Sequence, residues 1–307
     1  MNRPRYVVIT PVRNEADFVG RTIESVAAQS LPPSQWAIVD DGSSDGTAVI
    51  LESASRRHAW LTVVGRPDRG FRKSGGGVVE AFYDGYAALR DADWEFIVKL
   101  DGDLTFEADY FEKCLGRFAD EPRLGIGGGT VCVLEEGRPK VESPGDPPFH
   151  VRGATKIYRR ACWQQVHPLV VGPGWDTIDE VRANMFGWRT RTFPDLPLIQ
   201  QRATGAVDGA WANWFKNGLA NYITGYHPVF MFAKCVKRLW AKPRVVAAAA
   251  LWAGYCSGYV RRQPHAADAL SVRYLRQQQM RFLTWQPSIY RSRTSSVAAG
   301  ATVDERR

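Results

Sequence analysis

The stretch Phe96-Ile97-Val98-Lys99-Leu100-Asp101-Gly102-Asp103 decides the fold of this 307-residue chain. Its first five residues predict a β-strand, and the strand ends directly in two carboxylates around a glycine. Alone, Asp-Gly-Asp is typical of a solvated turn, because Asp and Gly dominate turns. After a strand, the same residues bring two carboxylates together. Their hard oxygens suit Mg²⁺ or Mn²⁺, so we predict a metal site at Asp101 and Asp103.

Two more polar clusters follow strands earlier in the chain. Residues 6–10 predict the first strand, which leads into residues 11–15, and residues 37–39 predict the next, which ends in Asp40-Asp41-Gly42-Ser43. Apolar spacing predicts the other elements here: helices at 17–29, 45–57 and 81–89, and a strand at 61–64. Strands without polar alternation, separated by helices, indicate an α/β fold with a mostly parallel sheet covered on both faces. Ligands of such sheets bind beyond the carboxyl ends of the strands, where all three clusters fall.

Some of these residues also have a purely structural interpretation. The loop at 40–47 serves equally well as a strand-to-helix connection that caps the next helix. Arg69, Arg72 and Lys73 precede a glycine run at 75–77, where cations and flexible backbone suit a diphosphate. That glycine run matches no phosphate-loop signature, so it is weak support by itself.

Three carboxylates, Asp176, Asp179 and Glu180, lie within five residues, in a segment that precedes a helix running to about residue 186. Helix capping and the helix dipole explain Asp179 and Glu180. Capping and the dipole do not explain as well why Trp175 and Asp176 directly follow Gly-Pro-Gly at 172–174. A carboxylate here suits a general base that deprotonates an acceptor hydroxyl.

Residues 7–15, 39–47 and 99–104 together resemble the family 2 glycosyltransferases, and the resemblance covers about residues 5–202. It implies a GT-A fold, with a Rossmann-like sheet that binds a nucleotide. It also implies an inverting mechanism, a divalent cation, and a nucleotide-diphosphate sugar as donor, here a UDP- or GDP-sugar.

The resemblance also implies roles for the residues at the strand ends. It places Asp40 or Asp41 at the nucleotide base, Asp101 at the ribose and the metal, and Asp103 on the metal. The residues that it implies for the nucleotide pocket share the end of the first strand: Thr10, Pro11, Arg13 and Glu15. To these we add Lys73 as a cation for the diphosphate.

Two positions depart from the family pattern. The family's later Glu-Asp pair has no literal copy here. Counting back from Gly187, which matches the glycine that ends the family's helix, places its Asp on Asp176 and its Glu on Trp175. We therefore expect Asp176 to be the base, with Asp179 as the alternative. Residues 200–202, Gln-Gln-Arg, stand where many relatives carry a histidine near the metal, and we expect Arg202 to steady the leaving diphosphate.

Charge divides the chain near Ala203. Residues 1–201 hold 24 Lys+Arg and 28 Asp+Glu, a net of −4, whereas residues 202–307 hold 16 and 4, a net of +12, which together give +8. The basic part contains an apolar run of 16 residues at 245–260, shorter than the roughly 20 of a membrane-spanning helix. A packed helix is its simplest interpretation. The cations and aromatics around it are typical of a membrane interface.

We predict a GT-A domain at 1–202, with a mobile surface loop at 135–148, then a membrane-associated helical region at 203–290 and a disordered tail at 291–307. Similar tails in exopolysaccharide and lipid-linked-sugar transferases of the family imply a peripheral position on the cytoplasmic, inner face of the plasma membrane. They also imply a lipid-linked or growing saccharide as acceptor and an anionic membrane surface as partner.

We see no secretory signal at the start, and five scattered cysteines are typical of a reducing compartment.

Two other function classes deserve comparison with this one. The first is a sugar nucleotidyltransferase or another metal-dependent nucleotide-binding enzyme. Sugar nucleotidyltransferases also use paired aspartates and a metal, but they need a Gly-rich, Arg-containing loop after the first strand, and residues 10–15 contain no glycine. A nucleic-acid-binding protein would explain the +12 region. No known binding signature is present, however, and the aromatics there lie beside apolar residues. We therefore expect no nucleic-acid partner.

Overall fold

The computed structural model describes residues 3–71, 75–89, 92–202, 209–240 and 243–291, which form an α/β fold around one nine-stranded sheet. The strands are β1 (Tyr6–Val12), β2 (Gln35–Asp40), β3 (Leu61–Gly65), β4 (Phe96–Leu100), β5 (Leu104–Phe106), β6 (Leu124–Glu135), β7 (Arg138–Val141), β8 (Thr155–Arg159) and β9 (Arg189–Gln200). The helices are α1 (Val19–Ala27), α2 (Thr47–Arg57), α3 (Gly76–Ala88), α4 (Tyr110–Asp120), α5 (Arg160–Val166), α6 (Trp175–Met185), α7 (Gly209–Thr224), α8 (Pro228–Arg238), α9 (Arg244–Val260) and α10 (Ala269–Leu283).

The first half of the sheet is parallel, in the order β3-β2-β1-β4. Alternate residues of β1 enter different cores: Val8 packs in the cluster that contains Val19 of α1, and Ile9 in the cluster that contains Phe82 of α3. Burial on both faces explains why these strands are unbroken apolar runs, and it confirms the prediction. Because parallel strands end at the same edge, the polar clusters after β1, β2 and β4 meet there.

The second half of the sheet is mixed, and it continues from β4 in the order β8-β6-β9-β5. β8 is antiparallel to β4 and to β6, β6 is parallel to β9, and β5 is antiparallel to β9. The α/β architecture is thus confirmed, while this half is less parallel than the sequence indicates. In the β5–β9 pair Leu104 lies opposite Gln200, so the end of β9 reaches the Asp-Gly-Asp turn.

Two local predictions are wrong. Residues 135–148, predicted as a loop, contain β7, which pairs antiparallel with the end of β6. The connecting residues Glu136 and Gly137 both have positive φ, 51° and 77°, and such two-residue turns match the twist of paired strands. The glycine run at 75–77, predicted as flexible backbone, instead begins α3, where Gly76 and Gly77 are buried in the first turn.

After the sheet, the described residues form four helices. α7 packs along α9, α8 packs against α9, and α10 packs against α6. α7 and α9 approach closely, since a Cβ on Gly254 would lie 2.0 Å from the carbonyl oxygen of Phe215. The apolar run at 245–260 is therefore one packed helix, as its simplest interpretation predicts. Among the described residues, no helix combines the length and the apolar character needed to cross a membrane.

Side-chain contacts join the C-terminal helices to the sheet region. Arg182 of α6 forms an ion pair with Asp268 (3.2 Å), and the rings of Phe149 and Tyr290 lie 5.0 Å apart. The predicted boundary at Ala203 and the predicted tail beyond Arg291 lie outside the described residues. The division of the chain into domains at these positions stays a prediction.

Gly254 gives a test of the α7–α9 contact. Replacing it with Ala should lower the free energy of unfolding by about 1–3 kcal/mol, because the added methyl has no room against the α7 backbone. This cost exceeds the gain of up to about 1 kcal/mol from better helix propensity. Urea unfolding followed by circular dichroism measures the change. The matched control is Gly116→Ala in α4, where nothing lies within 4 Å and stability should rise. Equal gains at both positions would show that the contact is loose.

Candidate active site

The Asp101-Gly102-Asp103 turn is held by its neighbours. The hydroxyl of Thr22 on α1 donates to the carbonyl of Gly102 (2.8 Å) and accepts from the N–H of Leu104 (3.1 Å). Gly102 lies against β1, since a Cβ there would come within 2.5 Å of Val12 Cγ1. The turn therefore has one fixed backbone conformation at the edge where the polar clusters meet.

The two carboxylates of the turn have different surroundings. Asp101 is partly exposed and accepts a hydrogen bond from the buried ammonium of Lys99. Asp103 is buried and accepts from the side-chain amide of Gln200 (3.2 Å). Burial, and after it the negative charge of Asp101, raises the pKa of Asp103 to about 6. Two carboxylates that repel each other in this way favour a cation beside them.

The same pair fits a divalent cation. Carboxylate oxygens are the ligands that Mg²⁺ and Mn²⁺ prefer, and a positive charge would offset the repulsion between Asp101 and Asp103. Within the described ranges, no group of three or more His, Cys, Asp and Glu side chains is arranged to hold a metal ion. A cation at the turn would thus take its other oxygen ligands from substrate and water, as Mg²⁺ commonly does.

An ion-pair network organises the loop after β2. Asp41 is buried, and its two carboxylate oxygens bind Arg66 (2.5 Å) and Arg69. Arg66 also binds Asp84 of α3 (2.7 Å), and Arg69 binds Glu80 (3.2 Å). Asp41 therefore ties its loop to α3, whereas α2 begins after Gly46 with no side-chain cap, unlike the predicted capping.

Arg13 and Asp40 belong to the same loop system. Arg13 donates to the backbone carbonyl of Asp41 and to the carboxylate of Asp68 (2.6 Å). Asp40 accepts from the backbone N–H of Ser43 (2.9 Å). These bonds hold the ends of β1 and β2 together, so both predicted nucleotide residues lie at the expected edge of the sheet.

The other predicted residues of β1 differ in their orientation. Thr10 is fully buried, and its hydroxyl accepts from Trp36 Nε1 (2.9 Å). Its side chain thus belongs to the core, which corrects the prediction that it lines a pocket. Pro11 is partly exposed at the strand end. Glu15 accepts from Arg202 (2.8 Å), whose charge offsets part of the rise that burial and Asp101 cause in the pKa of Asp103.

Lys99 links the Asp-Gly-Asp turn to the second group of carboxylates. Its ammonium donates to Asp101 and to the carbonyl of Gly153, and the Asp101 N–H donates to the carbonyl of Ala154 (2.8 Å). Gly153 lies against α6, since a Cβ there would be 3.1 Å from a carboxylate oxygen of Asp176. The structure therefore brings the predicted donor and acceptor residues to one place.

Asp176 is the α6 carboxylate that suits a base. The helix begins at Trp175, earlier than predicted, so Asp176 lies in its first turn and is partly exposed. No group in the described part of the chain makes a hydrogen bond to its carboxylate. Burial acts to raise its pKa, but the positive charges of His150, Lys156 and Arg152 outweigh burial and hold the pKa below its ordinary value. Asp176 is therefore ionised at neutral pH, which is the form that a general base needs.

Asp179 and Glu180 are bound inside the protein instead. Asp179 accepts from Lys156 (2.8 and 2.9 Å) and from the hydroxyl of Tyr158 (2.5 Å). Glu180 binds Lys156 (2.8 Å) and His150 (2.9 Å). A buried charge needs such partners, so these groups form a structural cluster under α6. This arrangement favours Asp176 over Asp179 as the base.

Lys99 and Lys156 are central to the site, but our sequence reasoning missed them. Each is a single lysine in a buried strand, β4 and β8. That pattern indicates a buried ion pair or hydrogen bond, because a charge inside an apolar strand requires a buried partner. The partners come from distant parts of the chain and are not visible in the pattern. Lys73, predicted for the diphosphate, lies outside the described residues.

Known proteins share a sequence family with this chain. The family model described as glycosyl transferase family 2 matches residues 7–172, more than half of the chain. TuaG, a putative teichuronic acid biosynthesis glycosyltransferase of Bacillus subtilis, is 34% identical over 113 residues, 37% of this chain and 41% of that protein. A poly-beta-1,6-N-acetyl-D-glucosamine synthase of Staphylococcus epidermidis is 29% identical over 120 residues, 39% of this chain and 27% of that protein. The chain thus spans less than half the length of either relative.

Solved structures share the fold. The mannosyltransferase PcManGT of Pyrobaculum calidifontis superimposes with a TM-score of 0.51 at 18% identity, over 89% of this chain and 79% of that one. S. aureus TarS 1–349 superimposes with a TM-score of 0.50 at 15% identity, over 92% of each chain. At these identities the likeness shows the fold alone, and it confirms the predicted GT-A fold.

His150 gives a prediction about pH. Burial by itself lowers its pKa, but the carboxylate of Glu180 outweighs burial and raises the pKa to about 9. The pKa of His150 in the folded protein thus exceeds the value of about 6.5 in the unfolded chain. The stabilisation of the fold by the His150–Glu180 pair is therefore complete below about pH 6.5 and is lost as the pH rises through about 9. Compared with the wild type, His150→Gln should be less stable by on the order of 2 kcal/mol near pH 6, and the difference should shrink towards pH 10.

Urea unfolding at several pH values measures this difference. The control is His58→Gln, which removes an imidazole that has no carboxylate partner among the described residues and so breaks no ion pair of this kind. A His150→Gln difference that stays constant from pH 6 to pH 10 would contradict the assigned pairing with Glu180.

Proposed function

The chain belongs to glycosyl transferase family 2, and on this premise we propose that it transfers a sugar from a nucleotide-diphosphate sugar to a hydroxyl group of an acceptor. One observation supports this above the others. Lys99 bonds both to Asp101 and to the carbonyl of Gly153, which lies against Asp176. A donor at the turn and an acceptor hydroxyl at Asp176 would then be neighbours, as transfer in one step requires.

For the donor we propose a UDP- or GDP-sugar. PcManGT was solved with GDP-Man and TarS with UDP-GlcNAc, and both have the fold of this chain. In this chain, Arg13 lies where β1 and β2 end and Arg202 lies close to Asp103, and we propose that both supply positive charge for a diphosphate. We assign Arg202 to the leaving diphosphate because its positive charge acts on Asp103, the proposed metal ligand.

For the cofactor we propose Mg²⁺ or Mn²⁺, held by Asp101 and Asp103. When bound, such an ion offsets the negative charge that develops on the departing diphosphate. The repulsion between the two carboxylates supports this assignment, and PcManGT was solved with Mn²⁺.

Asp176 is the proposed base of an inverting reaction. It removes the proton of the acceptor hydroxyl while that oxygen forms a bond to the anomeric carbon, and the bond from this carbon to the diphosphate oxygen breaks. Attack from the face opposite the diphosphate inverts the anomeric configuration. With no nucleophile of the enzyme taking part, one displacement leaves the product inverted.

For the acceptor we propose a lipid-linked or growing saccharide, and for the location the cytoplasmic face of the plasma membrane, with the protein bound peripherally. The names of the two relatives refer to teichuronic acid biosynthesis and to synthesis of a glucosamine polymer. The net charge of +12 after residue 201 supports contact with an anionic surface.

Replacing Asp103 with Ala should reduce Mn²⁺-dependent sugar transfer or donor hydrolysis by at least about 100-fold, because the cation loses one of its two protein ligands. Activity and Mn²⁺-dependent thermal stabilisation with a panel of UDP- and GDP-sugars measure this. The control is Asp109→Ala, a surface aspartate at the start of α4 that pairs with Lys113 (2.7 Å) and should keep its activity. Full activity of the Asp103 variant would disprove the metal assignment.

Replacing Asp176 with Asn should reduce transfer by about 10²–10⁴-fold, because an amide of the same shape cannot take the proton. Donor binding, measured by thermal stabilisation, should stay within about twofold. Asp179→Asn is the companion variant, and it should chiefly lower stability, since its carboxylate binds the buried Lys156. Unreduced transfer by the Asp176 variant would move the role of base to Asp179.

A further inference from the structure

The helix α8 has apolar side chains on two faces. Phe230, Met231 and Cys235 are buried. Val229, Phe232 and Val236 follow one another at positions i, i+3 and i+7, which is one face of a helix, and all three are exposed. A surface helix of an isolated globular protein would carry polar residues there.

The next helix, α9, repeats this arrangement. One side, which includes Leu251 and Tyr255, is buried, and α9 packs against α7. Val245, Trp252 and Tyr259 recur every seven residues on the exposed side. After Arg244 the helix contains no charged residue, so its exposed side is apolar along its length.

The two exposed stripes form one surface. The rings of Phe232 and Trp252 lie 5.9 Å apart in an edge-to-face contact, which joins the stripe of α8 to that of α9. Trp240, just after α8, is 75% exposed. We name this surface the α8–α9 face, consisting of Val229, Phe232, Val236, Trp240, Val245, Trp252 and Tyr259. A joined set of exposed apolar side chains marks an interaction site.

The helices that carry the α8–α9 face, and their ends, contain cations but no acidic residue. The exposed cations of the two helices and their ends are Lys234, Lys237, Arg244, Arg261 and Arg262. None of them forms an ion pair with another residue that the structure describes. The sequence from 209 to 267 contains no Asp or Glu. The partner of this face must therefore be apolar at its centre and negative around it.

We propose that the α8–α9 face docks on an anionic lipid bilayer, with both helices lying in the plane of the interface. Aromatic and aliphatic side chains would enter the boundary between headgroups and acyl chains, and the cations would meet the lipid phosphates. A second copy of this chain fits less well, because a symmetric pair would set cations against cations. Nucleic acid also fits less well, because its phosphates would face the apolar centre.

This inference refines the proposed location but uses no residue of the donor site. The full-length protein is floated with vesicles of phosphatidylcholine alone and with vesicles that also contain phosphatidylglycerol. It should bind the anionic vesicles. Phe232→Ser with Trp240→Ser should weaken this binding at least about tenfold, and Arg244→Gln with Arg261→Gln should remove the preference for anionic over neutral vesicles.

The matched control is Val49→Ser with Leu134→Ser, two exposed apolar residues on α2 and β6, which should bind vesicles like the wild type. The proposal is overturned if the Phe232/Trp240 variant binds as well as the wild type. It is also overturned if the wild type does not bind vesicles and sedimentation shows that this face pairs two copies. The same holds if the wild type does not bind vesicles and a DNA shift assay shows that it binds DNA. Mn²⁺-dependent donor hydrolysis without vesicles is measured in parallel. If the wild type shows no such hydrolysis, the donor assignment is refuted, and the result on vesicle binding still stands.

Discussion

The buried ammonium of Lys99 sets the geometry on which the candidate active site depends. A charge away from water is costly unless it is paired and hydrogen-bonded. Lys99 meets this need with the carboxylate of Asp101 and the carbonyl of Gly153. Asp101 follows β4, while Gly153 precedes β8 and touches α6, so one ammonium fixes the relative position of the turn and of Asp176. The pairing of β4 with β8, in which Leu100 lies opposite Thr155, acts in the same direction.

A second buried lysine is paired in the same way. Lys156 binds Asp179 and Glu180, and with Lys99 it flanks the ring of Trp175, whose centre lies 5.5 Å from one ammonium and 5.7 Å from the other. Trp175 stands where the family resemblance expects a Glu. An aromatic face can accept a cation, so the two lysines keep favourable contacts without a carboxylate at this position. Their charges in turn help to keep Asp176 ionised.

The C-terminal helices meet a different constraint. α7 and α9 approach closely where Gly218 and Gly254 leave room, and this packing uses one side of α9. The other side is also apolar, and among the described residues it leaves Val245, Trp252 and Tyr259 exposed. One segment can thus contribute to the core through one face and present an interaction surface with the other.

The sequence by itself determined the parallel half of the sheet, its strands and helices, and the edge at which the polar clusters meet. These features depend on periodicity and on turn residues within windows of about 10–20 residues, where local patterns are informative. It also pointed to Asp101, Asp103 and Asp176. Only the tertiary structure decided that Thr10 enters the core, that Asp179 is bound to Lys156, and that Lys99 joins the turn to Gly153. The antiparallel half of the sheet and the two-faced helices α8 and α9 were likewise decided there. Gly153 is 54 residues from Lys99 in sequence, and such contacts arise from long-range strand pairing and from the burial of charge, which no local pattern records.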